Sequence, residues 1–372
     1  MVPVGSLSCQ SRRLHSRTSG QNVKASQPVD PLAVHTHRRP SMRTITTEDV
    51  WNEQWSLLSR FTYRDKITQF LFDRSGQTPD PRVVDFVAGS IRQGEGYLRS
   101  AQTSTSLEIS PLLIYYGTTS LLFAAVALMK NKRPAGIRHH GLALEFKPDG
   151  KLGDQRVKQS RRSTGAFQYL VNNLVDIKHG DENENLEWTL AELFCSIPEI
   201  RNGCKAVYSA SALHTVPVQS GKVDDLPFDS VQADEMDSLE RGPAALFGLA
   251  DFHTTYLDPQ KSGEQWILYK RIDAKPFILS VTTVYGERYF LVPHSKADRR
   301  VAMSGISYLL MCSYALGMLS RYYPDFWHPF ITSDASGERA VLETFCRNAL
   351  RVVPNFVLNT LGEEQLLFRP YT

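Results

Sequence analysis

Two long apolar runs stand far apart in the chain. SPLLIYYGTTSLLFAAVALMK, residues 110–130, is apolar on all sides except for a polar or small band from Tyr115 to Ser120, and ISYLLMCSYALGMLSRYY, residues 306–323, matches it. Runs that are apolar all round belong at the centre of a helical core. The first is long enough to span a membrane, but its central band and its shorter counterpart point to two helices packed on one another inside a domain. Ser110 is expected as its cap, with Pro111 at the first helical position. Upstream, Trp51, Trp55, Leu58, Ile67, Phe70 and Leu71 recur at near-helical spacing and predict an amphipathic helix opened by a capping box of Thr46 and Asp49. Pro79 and Pro81 end that unit, and a second helix is expected over about 82–100.

Between the two runs the period changes. WTLAELFCSIPEI, residues 188–200, reads as a short helix stopped by Pro198, and residues 181–187 (DENENLE) as an acidic loop. Residues 204–219 and 266–294 alternate with β-branched and aromatic side chains, and YGER at 285–288 supplies a turn between two strands. Residues 220–262, rich in Asp, Pro and Gly, read as an exposed connection with one helix. A final helix over about 337–350 leads to VVPNFVLNTLG. The pattern predicts an α+β fold, mainly α: a helical core over about 46–130 and 301–350, with a small β-containing insertion over about 204–294. No internal repeat is visible, which argues against a solenoid.

Composition changes the picture mainly at the N-terminus. The chain of 372 residues is 42% hydrophobic and 22% charged, as a folded protein requires. Its first 45 residues carry seven Lys or Arg against Asp30, a formal +6 that leaves −3 for the rest of a +3 chain. The body therefore gives no global argument for binding nucleic acid by phosphate neutralisation. Residues 1–41 are expected to be a disordered extension ahead of a body at 42–372, because MRTITTEDVW from Met42 looks like a protein start. The five cysteines are odd in number, scattered and without a C-x-x-C, so a reducing, cytoplasmic setting is expected, with Cys312 and Cys346 as buried thiols.

IRQGEGYLRSAQTSTSLEISPLLIYYGTTSLLFAAVAL, HHGLAL (139–144), STGAFQYL (163–170), WTLAELFCSIPEI, LGMLSRYYPDFW (316–327) and VVPNFVLNTLG (352–362), in this order, resemble the YaaC-like family of bacterial proteins. The resemblance covers most of the chain from about Trp51 and leaves out the residues before Met42. It implies an intracellular protein and carries no assigned reaction.

Standard catalytic signatures are absent: GxxxxGK[ST], GxSxG and HExxH do not occur, and GEGYLR lacks the third glycine of a dinucleotide loop. No cofactor, metal or membrane partner is expected; His139 and His140 with Glu145 make a poor ligand set on a loop. The basic stretch RVKQSRRSTGAF says more. Arg161 and Arg162 precede Ser163, Thr164 and Gly165 where a helix is expected to begin, and free N–H groups at a helix start with hydroxyls and guanidinium forks suit an anion such as a nucleotide. His140 is assigned to the same candidate site. The alternative is a simple helix cap with solvated charges. In LSRYYPDFWHPF, Arg321 and His328 lie seven positions apart, in partial resemblance to the HEPN ribonucleases. There an Arg steadies phosphate charge and a His moves the proton of the 2′-hydroxyl without a metal. Tyr322 departs from that motif's polar position, and Pro324 is expected to leave Arg321 in a last helical turn and His328 in a turn beyond.

Two functions are therefore expected. The first is an intracellular binding or regulatory protein for an anionic ligand. The second is a metal-independent ribonuclease, with RNA as substrate and toxin or phage-defence work as its setting. A purely structural role, with a protein partner or a second copy of the chain, is compatible with either composition or pattern.

Overall fold

In the computed structural model both apolar runs are helices, and glycines set how closely they pack. The structure describes residues 41–104, 106–160, 165–175, 186–209, 213–223, 226–237, 247, 250–271, 277, 279–296, 299–301 and 303–371. Helices α3 (Pro81–Thr103) and α4 (Ser110–Lys130) meet where each lacks a side chain. A Cβ on Gly94 would stand 2.7 Å from Leu121 Cγ, and one on Gly117 2.6 Å from Leu98. GEGYLR is thus a helix-packing device, in which each glycine admits the leucine of the other helix.

The second run forms α10 (Gly305–Tyr322), in which every residue from Ile306 to Leu319 is buried. It packs on α4, as does α12 (Glu338–Leu361). Each buried leucine there is worth about 1.5–3 kcal/mol of transfer free energy. Among the described residues α4 is the one helix long and apolar enough to cross a membrane, yet 61% of its most apolar stretch is buried inside the fold. Cys312 and Cys346 are buried thiols, as expected.

Several boundaries differ from the sequence reading, each for a tertiary reason. Thr46 does not cap a helix. It lies in strand β1 (Met42–Thr47), held parallel to β13 (Gln365–Pro370) at the far end of the chain, and Asp49 caps α1 (Val50–Ser59) by accepting the Asn52 N–H at 3.0 Å. Ser41, expected in the tail, accepts the Gln365 N–H on the same strand pair; residues 1–40 lie outside the described residues. The expected first helix is two, α1 and α2 (Arg64–Ser75), separated by a 3-10 turn at Arg60–Thr62 and an extended Tyr63. The helix expected to stop near 350 continues to Leu361 through Pro354, because burial of Val353, Val357 and Leu358 offsets the one hydrogen bond that proline removes.

Residues 204–207, expected to be extended, end α7 (Arg201–Val207). The sheet beyond is larger than expected. Strands β5 (Thr215–Val223), β6 (Leu226–Gln232), β7 (Gln260–Ser262), β8 (Gln265–Tyr269), β9 (Ser280–Thr282) and β10 (Arg288–Leu291) form an antiparallel sheet in the order β7-β8-β6-β5-β10-β9. The stretch expected as an exposed connection thus supplies an inner strand, β6. YGER makes the expected turn, with Gly286 at φ 88° between β9 and β10. The sheet has a core of its own around Phe252, Tyr256 and Phe290, separate from the large helical core. The fold is α+β and mainly α. A small sheet of β2 (Leu142–Glu145), β3 (Arg156–Gln159) and β4 (Glu187–Thr189) carries the chain to the candidate site.

Candidate functional site

The loop His139–His140–Gly141 enters β2 and is clamped to the start of helix α5 (Ala166–Leu174). Gly141 has φ 80°, where a side chain is strained, and a Cβ there would meet Gln168 Oε1 at 2.0 Å. The Gln168 side-chain amide donates to the carbonyls of Gly141 and Ser160, at 2.9 Å each. Ala166 N–H donates to the His139 carbonyl and Phe167 N–H to that of His140, both at 2.9 Å. The first N–H groups of α5, expected to be free for an anion, are therefore taken by backbone carbonyls. Arg161, Arg162, Ser163 and Thr164 lie outside the described residues. Both ends of that stretch are held at the same loop, Ser160 by its N–H to the Gly141 carbonyl and Gly165 by a bridge to His139.

His140 faces α4 and α10. Its Nδ1 is 2.6 Å from the Tyr115 hydroxyl, and its ring lies 5.5 Å from that of Tyr314. Burial, followed by the charge of Tyr314, raises the Tyr115 pKa far above an ordinary phenol. Tyr115 consequently stays protonated, and its hydroxyl and Nδ1 share a hydrogen bond in which either can donate, according to the tautomer of the ring. Burial first, then His139 and Arg321, lower the His140 pKa below its ordinary value. Tyr314 is pushed up to about 12, mainly by burial.

Arg321, in the last turn of α10, is exposed and sends Nη1 to the Tyr116 hydroxyl at 3.1 Å, while its guanidinium lies 5.0 Å from the centre of the Tyr322 ring. Among the described residues no carboxylate pairs with it. Tyr97 extends the aromatic surface, its ring 5.7 Å from that of Tyr116. The arrangement offers a cation without a counter-charge, a neutral imidazole, phenol hydroxyls and half-buried ring faces. Together these suit an anionic group attached to a planar ring.

His328 is placed differently from the expectation. Pro324 starts a new helix, α11 (Pro324–Ser333), as proline can at a first helical position, so His328 lies on an exposed helical face and not in a turn. Its charge acts on Glu108, whereas that of Arg321 acts on His140. The histidine electrically coupled to Arg321 is thus His140. Tyr97, Tyr115, Tyr116 and Tyr314 were not legible as site residues. Tyr115 and Tyr116 left one trace, the polar band inside the apolar run, visible as pattern but without a partner to explain it, and Tyr97 and Tyr314 left none.

Arg321→Ala should raise the imidazole pKa of His140, because one of the three causes that depress it disappears. An NMR titration of the His140 ring checks this, and an unmoved midpoint would mean that the guanidinium does not act on this ring. The depressed value has a definite sign: the folded state prefers the neutral ring, so this contribution to stability is lost as pH falls below the unfolded value of about 6.5.

Neither of two clefts, about 420 Å³ beside Glu338 and about 930 Å³ beside α12, is lined by these residues. A protein-family model described as YaaC-like Protein matches residues 58–361, most of the chain. No curated protein and no solved structure matches it.

Proposed function

This chain belongs to the YaaC-like family, and we propose that it is an intracellular binding or regulatory protein that recognises a nucleotide-like anion where Arg321, His140 and Tyr116 converge. The observation that carries the reading is Arg321, an exposed cation with no carboxylate partner among the described residues, set among tyrosine rings beside His140. The loop that carries His140 also holds Ser160 and Gly165, the residues that flank the stretch 161–164 in the sequence. Aromatic faces take the base, and guanidinium groups take the phosphate.

Binding to the folded state alone raises stability, by about 2.7 kcal/mol at a hundred times the dissociation constant. A screen of nucleoside mono-, di- and triphosphates should therefore raise the melting temperature of the parent protein. Arg321→Ala should abolish the rise, and Arg161→Ala with Arg162→Ala should reduce it. A parent protein that responds to none of these compounds would remove the reading.

The neutral His140 beside Arg321 also supports a second reading, a metal-independent ribonuclease in which the imidazole accepts the 2′-hydroxyl proton and Arg321 steadies the phosphate. The same preparations in EDTA distinguish it, through cleavage of single-stranded RNA to 2′,3′-cyclic ends. Loss on His140→Ala assigns the proton transfer to His140, loss on His328→Ala alone assigns it to His328, and no cleavage by the parent leaves binding as the function.

A further inference from the structure

A cleft of about 930 Å³ lies between the start of α1, the end of α3, the start of α4 and the exposed side of α12. It shares no residue with the surface around His140. Its volume falls in the range of small-molecule sites, roughly 300–1,000 Å³. Trp51, Ile114, Ile331 and Leu350 give it an apolar floor, and three arginines of α12 reach its edge.

The arginines are not equivalent. Arg339 is neutralised by Glu343 at 2.9 Å and donates to the Ile331 carbonyl. Arg347 is exposed and has no ion pair or hydrogen bond among the described residues. Arg351 rests on the Tyr285 ring, 4.9 Å from its centre, and its Nε is buried without an acceptor. Arg347 and Arg351 are four residues apart on one helix, so their side chains rise from the same face. Two guanidinium groups without carboxylates, above an apolar floor, are matched by an oxyanion on an apolar body, since the planar forks bind carboxylate or phosphate oxygens in pairs. Four acids also line the cleft, and Glu343 is the partner of Arg339. Asp49 is occupied by the N-terminus of α1 and Glu108 by Ser106, while Glu48, at the α1 side, repels an anion and orients it toward α12.

We propose that this cleft is a second ligand site, which takes a small amphiphilic anion with its carboxylate or phosphate on Arg347 and Arg351 and its apolar body against Trp51, Ile114 and Leu350. Its failure and that of the nucleotide reading are separable, because the two sites use different residues.

Isothermal titration of the full chain with octanoate, octyl phosphate and 1-octanol tests the proposal. At least one of the anions should bind, and the alcohol at least tenfold more weakly; the ratio between the anions tells which oxyanion the pair prefers. Arg347→Ala with Arg351→Ala should weaken anion binding by tenfold or more without altering the response to nucleotides. Should that double variant fail to fold, Gln102→Trp decides, because Gln102 is an exposed residue of the cleft wall where added bulk obstructs entry without disturbing the core. Heat-silent titrations with both anions, 1-octanol binding equal to that of the anions, or anion binding unchanged in whichever of these variants folds, would each overturn it.

Discussion

Asp229→Ala lowers the unfolding free energy by about 3–5 kcal/mol, the usual consequence of removing one partner from a buried ion pair. Asp229 lies in the inner strand β6 with no solvent exposure and accepts from Lys270 Nζ at 2.8 Å, Arg288 Nη1 at 2.7 Å, the Tyr256 hydroxyl at 2.6 Å and Ser220 Oγ at 2.7 Å. Burial alone would raise its pKa. The donors, led by Arg288 and Lys270, outweigh burial and hold it at about 2. Alanine leaves the Lys270 ammonium, itself 8% exposed, without this carboxylate. Because the folded value lies below the unfolded one of about 3.9, the stabilisation is complete above that pH and is lost as pH falls toward about 2. Urea titrations at neutral and acid pH check both points: the parent should lose stability over that window, and the variant should lack this part of the loss. An alanine variant as stable as the parent at neutral pH would show that the charge network contributes nothing net to the fold.

The second large effect falls on the site. Gly165→Ala places a Cβ 2.3 Å from Gly141 Cα and 2.2 Å from Gln168 Oε1. Overpacking of this kind costs about 1–3 kcal/mol. Little can yield, since Gly141 is held in the left-handed region and the Gln168 amide already bridges two carbonyls. The substitution therefore displaces the loop that carries His140, and any nucleotide-dependent rise in melting temperature should disappear with it. Gly96→Ala is the control. Gly96 lies in the exposed middle of α3 with open space around its Cβ position, so alanine there should stabilise by about 0.5–1 kcal/mol through helix propensity. Thermal unfolding of the two variants side by side should thus move in opposite directions.

Much of the architecture is local in origin. The helices at 81–103, 110–130 and 305–322, the burial of Cys312 and Cys346 and the turn at YGER follow from period, proline and glycine, which act over a few residues. The order of motifs from GEGYLR to VVPNFVLNTLG was likewise enough to identify the family. What the sequence could not determine depends on neighbours remote in the chain. Thr46 is in a strand because a partner strand arrives from residue 365 onward, Pro354 is tolerated because its helix is buried, and β6 is an inner strand because β5 and β8 flank it. The candidate site has the same character. Arg321 was legible as a conspicuous cation and His140 as a conspicuous histidine, but local spacing paired Arg321 with His328. Only the packing of α4 against α10 brings Tyr115, Tyr116 and Tyr314 between them and makes His140 the imidazole that feels the guanidinium, because charge acts through space and the sequence records distance only along the chain.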